Sequence, residues 1–215
     1  MIFFLGLLLT SSFIHAVHML QCFLCDSSFC EKPFLTNCRS NQYCATLRTD
    51  GTFSGFNFTV VERFCLLNAV CALLNANGTT FIASVAVGQT SVTSTLSCCN
   101  TNGCNKNNFD APNKTPNGLK CKSCHSFYDK QCDSDMVCVG NQDRCLNDTA
   151  SSLPYDYDFG NNTLNGCISR TLCQPSNFGN VTCYEGSFYK NGVIWLNNVN
   201  FNLPLLSFIT IVLLL

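Results

Sequence analysis

The sequence has few charged residues. Only 12% of its 215 residues are charged, and 12 basic and 13 acidic side chains leave a formal net charge of −1. A nucleic-acid-binding surface shows as a basic patch, and an interaction tail shows as a run of like charges. Since the sequence has neither, we expect no nucleic-acid partner.

Residue patterns that support catalysis are also lacking. Of the three histidines, His15 and His18 lie in or beside the N-terminal apolar run, so His125 has no second histidine in the rest of the chain. There is no Gly-x-Ser-x-Gly motif, and the acidic residues are scattered. A catalytic nucleophile requires a neighbouring base. We therefore expect no enzyme activity, no catalytic residues and no cofactor.

Neither apolar run has the roughly 20 residues that a membrane-spanning helix needs. Residues 2–9 form the first run, and the polar residues 10–12 and Ala16 follow it. This layout resembles a secretory signal peptide. We predict that residues 1–16 are removed and that the mature chain begins at Val17, or at Leu20 at the latest.

The second apolar run, residues 203–215, ends the sequence without a basic residue after it. It is preceded by the small-residue site Asn191-Gly192-Val193 and a spacer, residues 194–202. This is the layout of a glycosylphosphatidylinositol (GPI) attachment signal. We predict a lipid on Asn191 and removal of residues 192–215; the alternative is a C-terminal strand or helix packed in the core.

Cysteine is abundant, at 18 of 215 residues or about 8%. This frequency is typical of a disulfide scaffold in an oxidising, extracellular compartment. The Cys22-x-x-Cys25 and Cys121-x-x-Cys124 pairs could each form half of a zinc site or a redox pair. The oxidising compartment favours structural disulfides, so we expect no metal site.

The cysteines form two similar series, which divide the chain into a first repeat, residues 20–109, and a second repeat, residues 119–191. Both series open with Cys-x-x-Cys after Leu-x, and both have five residues between the sixth and seventh cysteines. Residues 110–118, rich in Pro, Asn and Gly, are predicted to be a linker. Each repeat is small enough to depend on covalent cross-links for stability.

The ends of the two repeats differ by one pair of cysteines. When Cys183 is aligned with Cys98, Tyr184 and Tyr189 stand opposite Cys99 and Cys104. Because both partners of the pair are replaced together, each repeat keeps an even number of cysteines and no unpaired thiol is required.

The strand signals predict hairpins. Segments 43–48 and 58–64 are rich in aromatic and β-branched residues and flank turn residues, and so predict one hairpin. Segments 81–87 and 91–97, on either side of Gly88-Gln89, predict another. No segment of the mature chain shows a sustained helical period. The sequence therefore predicts an all-β fold.

Several motifs resemble a known family. LQCFLC, the later cysteine spacing and the ending CC-x4-CN at Asn105 are similar to the urokinase-receptor-type three-finger (LU, lymphocyte-antigen-six) family, and LKCKSC and GNQDRC are similar to the second module of its multi-domain members and of serum phospholipase inhibitors. The resemblance implies two tandem disulfide-rich three-finger domains. It also implies the pairs Cys22–Cys44, Cys25–Cys30, Cys38–Cys65, Cys71–Cys98, Cys99–Cys104, Cys121–Cys145, Cys124–Cys132, Cys138–Cys167 and Cys173–Cys183.

Six Asn-x-Ser/Thr sequons predict glycosylation sites in an extracellular chain. They begin at Asn57, Asn77, Asn113, Asn147, Asn161 and Asn180.

Two aromatic segments are candidate binding surfaces, because loops on a rigid scaffold commonly carry recognition. Tyr155, Asp156, Tyr157, Asp158 and Phe159 form the segment that we predict to contact a protein partner. The other contains Phe53, Phe56 and Phe58, which we expect to pack against a neighbouring finger or the other repeat, since a glycan on Asn57 would shield the tip.

The sequence as a whole predicts a GPI-anchored glycoprotein on the extracellular face of the plasma membrane that binds a protein in adhesion or signalling. The alternative is a secreted binding protein similar to phospholipase inhibitors.

Overall fold

A computed structural model describes residues 19–25, 30–53, 55–74, 76, 78–125, 129, 132–149, 163–173 and 182–185. This part of the chain is mostly β-strand and contains nine disulfides, which confirms the predicted all-β, disulfide-rich class. The predicted signal peptide, Asn191 and residues 192–215 lie outside the described residues.

The described residues of the first repeat form six strands. Strands β1 (Gln21–Leu24) and β2 (Phe34–Asn37) pair with each other as a separate two-stranded sheet. Strands β3 (Gln42–Phe53) and β4 (Phe56–Leu67) form a long antiparallel hairpin, and β5 (Thr80–Val87) pairs with β6 (Thr90–Cys99). Both predicted hairpins are confirmed, and each is longer than its sequence signal.

A short helix, α1 (Asn68–Leu73), follows β4 and was not expected from the sequence. Its six residues are too few to show a hydrophobic period. The helix buries Cys71, whose disulfide to Cys98 holds it against the end of β6. None of the described helices has the length and apolar character that crossing a membrane would require.

The second repeat likewise begins with a separate two-stranded sheet, and its later described strands are shorter than those of the first repeat. Strand β7 (Pro116–Ser123) pairs with β8 (Ser134–Val139), and β9 (Arg144–Thr149) lies between β10 (Thr163–Ile168) and β11 (Cys183–Tyr184). Strand β7 begins at Pro116, inside residues 110–118, the segment predicted as a linker. Proline is tolerated at the first position of a strand, where Pro116 lies opposite Val139.

One seven-stranded sheet runs through both repeats, in the order β11-β9-β10-β5-β6-β3-β4. The two repeats meet where β10 pairs antiparallel with β5, with Cys167 opposite Ala86 and Ile168 opposite Val85. Because this ladder is made of backbone hydrogen bonds, the second repeat continues the sheet of the first.

The contact between the repeats is both apolar and polar. Val87 of the first repeat lies in a buried cluster with Leu146, Leu164 and Ile168 of the second. Beside it, the Ser84 backbone N–H donates to Ser169 Oγ at 2.9 Å, and the buried Gln142 side chain donates to Ser84 Oγ at 3.0 Å. Ser84, Ser169 and Gln142 are buried here and are joined by these hydrogen bonds, as buried polar groups generally are.

All 18 cysteines are paired, and the nine pairs in the structure are the pairs that the family resemblance implies. In each repeat two disulfides pack together and bring three sulfurs within 4.8 Å of one another. Since every one of these sulfurs is in a disulfide, the two sulfur clusters are packed cross-links.

The first repeat is closed by Asn105, the last residue of its CC-x4-CN motif. The buried side chain accepts from the Phe23 backbone N–H at 2.9 Å and donates to the carbonyls of Phe23 at 2.8 Å and Ala45 at 3.1 Å. One amide thereby joins β1 to β3.

The sheet register shows what replaces the missing cysteine pair. In the first repeat Cys99 of β6 lies opposite Cys44, and in the second Tyr184 of β11 lies opposite Cys145. The half-buried Tyr184 packs against the cluster of Cys121, Cys138, Cys145 and Cys167. Burial raises the pKa of its phenol. Tyr184 therefore occupies the sheet position of Cys99; Tyr189 lies outside the described residues.

This equivalence predicts the outcome of restoring the pair. The double variant Tyr184→Cys/Tyr189→Cys is expected to form a 184–189 disulfide, because its spacing equals that of Cys99–Cys104. Peptide mapping under non-reducing conditions will detect the cross-link. Two free thiols with Cys173–Cys183 intact would show that the ends of the repeats are not equivalent.

Candidate functional site

The tip of the β3–β4 hairpin exposes aromatic side chains. Phe53 and Phe56 lie opposite each other at the turn, and their exposed fractions are 38% and 80%. Phe58 lies opposite Gly51 on the neighbouring strand. Its ring is so close that a Cβ added to Gly51 would come within 2.3 Å of it. The expectation that these phenylalanines pack against another finger or the other repeat is wrong for Phe56, which is almost fully exposed, and Phe58 packs within its own hairpin.

The glycosylation site at this tip faces the other side of the hairpin. Successive side chains of a strand point to opposite faces, so Asn57 points away from Phe56 and Phe58. On its own face Thr52 Oγ1 donates to Asn57 Oδ1 at 2.7 Å. A glycan on Asn57 therefore leaves the aromatic face open, contrary to the shielding expected from the sequence.

An ion pair on the glycan face stiffens the hairpin. Arg48 Nε contacts Asp50 Oδ2 at 2.6 Å, and Thr59 Oγ1 donates to Asp50 Oδ1 at 2.8 Å. Arg48 also donates to the Phe109 carbonyl at 2.7 Å, which ties the hairpin to the end of the first repeat. Burial raises the pKa of Asp50, but hydrogen bonds from Arg48 and Thr59 outweigh it and hold the pKa below its usual value.

The aromatic face carries no charge near its tip. Along β3 and β4 this face presents uncharged residues from the turn inwards until Glu62 of β4, whose pKa is raised by partial burial. Apolar and aromatic residues without interspersed charges are the composition of the central part of a protein interface. The β3–β4 tip can therefore bind an apolar protein surface, and Asn57 on the opposite face of the tip is exposed.

The remaining predicted site residues fall into two groups. Asn113 and Asn147 are exposed in the structure, and Asn113 Oδ1 accepts a hydrogen bond from the Thr115 backbone N–H at 2.8 Å. The other predicted residues lie outside the described part of the chain: Asn77, Asn161, Asn180, Asn191, Tyr155, Asp156, Tyr157, Asp158 and Phe159.

A search of the chain against models of known protein families finds no model that matches.

Proposed function

We propose that the chain is a GPI-anchored cell-surface glycoprotein whose two repeats are tandem three-finger domains, and that it binds a protein partner in adhesion or signalling. The Cys-x-x-Cys openings, the ending at Asn105 and the nine disulfides support the family assignment. A chain with this many disulfides is suited to an extracellular compartment.

The observation that carries the binding role is the division of the β3–β4 tip into two faces. Phe53 and Phe56 are exposed on one face, and the sequon of Asn57 lies on the other. Phenylalanine side chains left in water at the end of a rigid, disulfide-bonded hairpin cost free energy unless a partner covers them. A protein interface centred on this tip would bury them.

The second candidate function, a secreted binding protein similar to phospholipase inhibitors, would use the same repeats without a lipid. The fate of residues 192–215 distinguishes the two. A 13-residue helix rising 1.5 Å per residue is about 20 Å long, which is short of the roughly 30 Å of hydrocarbon in a bilayer. Exchange of these residues for a GPI lipid would hold the repeats at the outer surface of the membrane.

The tether is tested by treating cells that express the full chain with phosphatidylinositol-specific phospholipase C. We expect most of the surface staining of the first repeat to move into the medium. The matched control is a chain whose residues 192–215 are replaced by a transmembrane segment, which should keep its staining. Staining that resists the enzyme would contradict the GPI tether, and release without enzyme would favour the secreted alternative.

A further inference from the structure

The Cys25–Cys30 disulfide lies against a buried cation. Arg63 of β4 is 6% exposed, and its Nη1 is 3.8 Å from Cys25 Sγ and in hydrogen-bond contact with Cys30 Sγ. A guanidinium next to a cysteine sulfur favours the thiolate over the thiol. The charge is therefore placed where it would stabilise the sulfur that leaves when this disulfide is cleaved.

Other contacts fix the position of the guanidinium. Arg63 Nε donates to the Asn105 carbonyl at 2.8 Å, Nη2 donates to the Lys106 carbonyl at 3.0 Å, and Nη2 also contacts the Asn108 side-chain oxygen. These acceptors are neutral, and no ion pair to Arg63 forms among the described residues. The positive charge thus stays available to the sulfurs.

The two sulfurs differ in access and in backbone conformation. Cys25 is partly exposed, whereas Cys30 is buried, so an incoming thiolate reaches Cys25 first. Cys30 has a backbone φ of 49°, in the left-handed region that non-glycine residues rarely adopt. Such a conformation costs free energy and persists only while the surrounding structure enforces it. Cleavage of the cross-link removes one of these constraints.

The second repeat supplies a neutral counterpart. The Cys25 backbone N–H donates to the Arg63 carbonyl at 3.1 Å, and the Cys124 backbone N–H donates to the Asn165 carbonyl at 3.2 Å. Arg63 lies two residues before Cys65, and Asn165 lies two residues before Cys167. These cysteines belong to equivalent disulfides, Cys38–Cys65 and Cys138–Cys167. The second repeat therefore has the uncharged Asn165 at the chain position that Arg63 holds in the first, and its backbone N–H lies 3.2 Å from Cys124 Sγ.

We propose that Cys25–Cys30 is a redox-responsive site, which an extracellular dithiol reduces selectively while the other eight disulfides stay closed. A thiolate of the dithiol attacks Cys25 Sγ and forms a mixed disulfide, as the bond to Cys30 breaks and Cys30 leaves as a thiolate beside Arg63. The second thiol, as its thiolate, then attacks the dithiol sulfur of the mixed disulfide and releases the Cys25 thiolate. The dithiol ends as its cyclic disulfide, the protein has gained two electrons, and the two protons of the dithiol pass to solvent or to the protein thiolates.

The test uses the full chain on expressing cells and graded dithiothreitol, followed by isotope-coded alkylation and mass spectrometry of each cysteine. We expect Cys25 and Cys30 to be labelled at least about tenfold faster than Cys124 and Cys132, because a lower leaving-thiol pKa speeds exchange. The internal control for loop length is Cys99–Cys104, which has the same sequence separation of 5.

Variants of Arg63 separate the charge from the fold. Arg63→Asn, which copies the second repeat, should slow reduction of Cys25–Cys30 to the rate of Cys124–Cys132, and Arg63→Lys should retain most of the wild-type rate. In the reduced protein the pH midpoint for alkylation of Cys30 should lie below the ordinary thiol value of about 8.5 and rise in Arg63→Asn.

Three outcomes would overturn the proposal. They are equal reduction of Cys25–Cys30 and Cys124–Cys132, equal reduction of Cys25–Cys30 and Cys99–Cys104, and an unchanged rate in Arg63→Asn. If Arg63→Asn fails to reach the cell surface, the wild-type comparison and the pH midpoint of Cys30 decide. None of these measurements depends on the GPI lipid or on a binding partner.

Discussion

Replacing Gly166 with alanine is expected to break the junction between the two repeats. Gly166 lies in β10 next to β5, and an added Cβ would come within 2.0 Å of the Ala86 carbonyl oxygen and 3.1 Å of Val87 Cγ2. The first of these is a backbone atom of a paired strand, so it cannot move aside without opening the ladder. We expect the free energy of unfolding to fall by about 3 kcal/mol, the upper part of the range for overpacked sites.

The measurement is denaturant unfolding of the disulfide-intact chain, with limited proteolysis of the segment between the repeats as a second readout. Gly118→Ala is the matched control: its φ of 88° also disfavours alanine, but nothing lies within 4 Å of the added Cβ. That variant should lose only about 1 kcal/mol. Equal losses in the two variants would show that the β5–β10 pairing does not hold in solution.

The second large effect is expected at the aromatic tip. The double variant Phe53→Ser/Phe56→Ser should weaken binding to a cell-surface partner by at least about 30-fold, since an aromatic residue at the centre of an interface commonly contributes about 2 kcal/mol or more. Stability should change little, because Phe56 is 80% exposed and Phe53 is 38% exposed. Binding is measured as staining of partner-bearing cells by fluorescent tetramers of the ectodomain.

Two further variants show which surface binds. Asn57→Gln removes the predicted glycan from the opposite face of the tip and should leave staining intact. Tyr155→Ser/Tyr157→Ser changes the aromatic segment predicted from the sequence in the second repeat. If this variant abolishes staining and the phenylalanine variant does not, the binding surface lies in the second repeat.

Much of the first repeat was predictable from local signals. Runs of aromatic and β-branched residues on either side of Gly51 and Gly55 predict the β3–β4 hairpin, since both strands and their turn are encoded within about 25 residues of sequence. The β5–β6 hairpin around Gly88 is equally local. The pairing of the cysteines could not be derived this way, because eight cysteines alone allow 105 pairings; it came from the family resemblance.

The junction could not be predicted, because it depends on contacts between distant residues. Nothing near Gly166 in the sequence indicates that Ala86 lies next to it, 80 positions away. The role of Arg63 depends in the same way on Asn105, which lies 42 positions further along the chain.

The error at the aromatic tip, in contrast, came from predicting too short a strand. The alternation of side chains along a strand places Asn57 opposite in direction to both Phe56 and Phe58. The predicted strand began at Phe58, so this alternation applies to Phe56 and Asn57 only because the observed strand β4 begins at Phe56.

The shared sheet also places β11 of the second repeat and β4 of the first at its two opposite edges. Six strand-to-strand intervals of about 4.8 Å separate β11 from β4, so the two edges lie about 29 Å apart along the sheet. A force applied at the β3–β4 tip and resisted at the C-terminal end would act across this distance and load the hydrogen-bonded ladders from strand to strand. Among the described strands, the ladders β5–β10 and β9–β11 have only two residue pairs each, so these two would be expected to yield before the longer ladders.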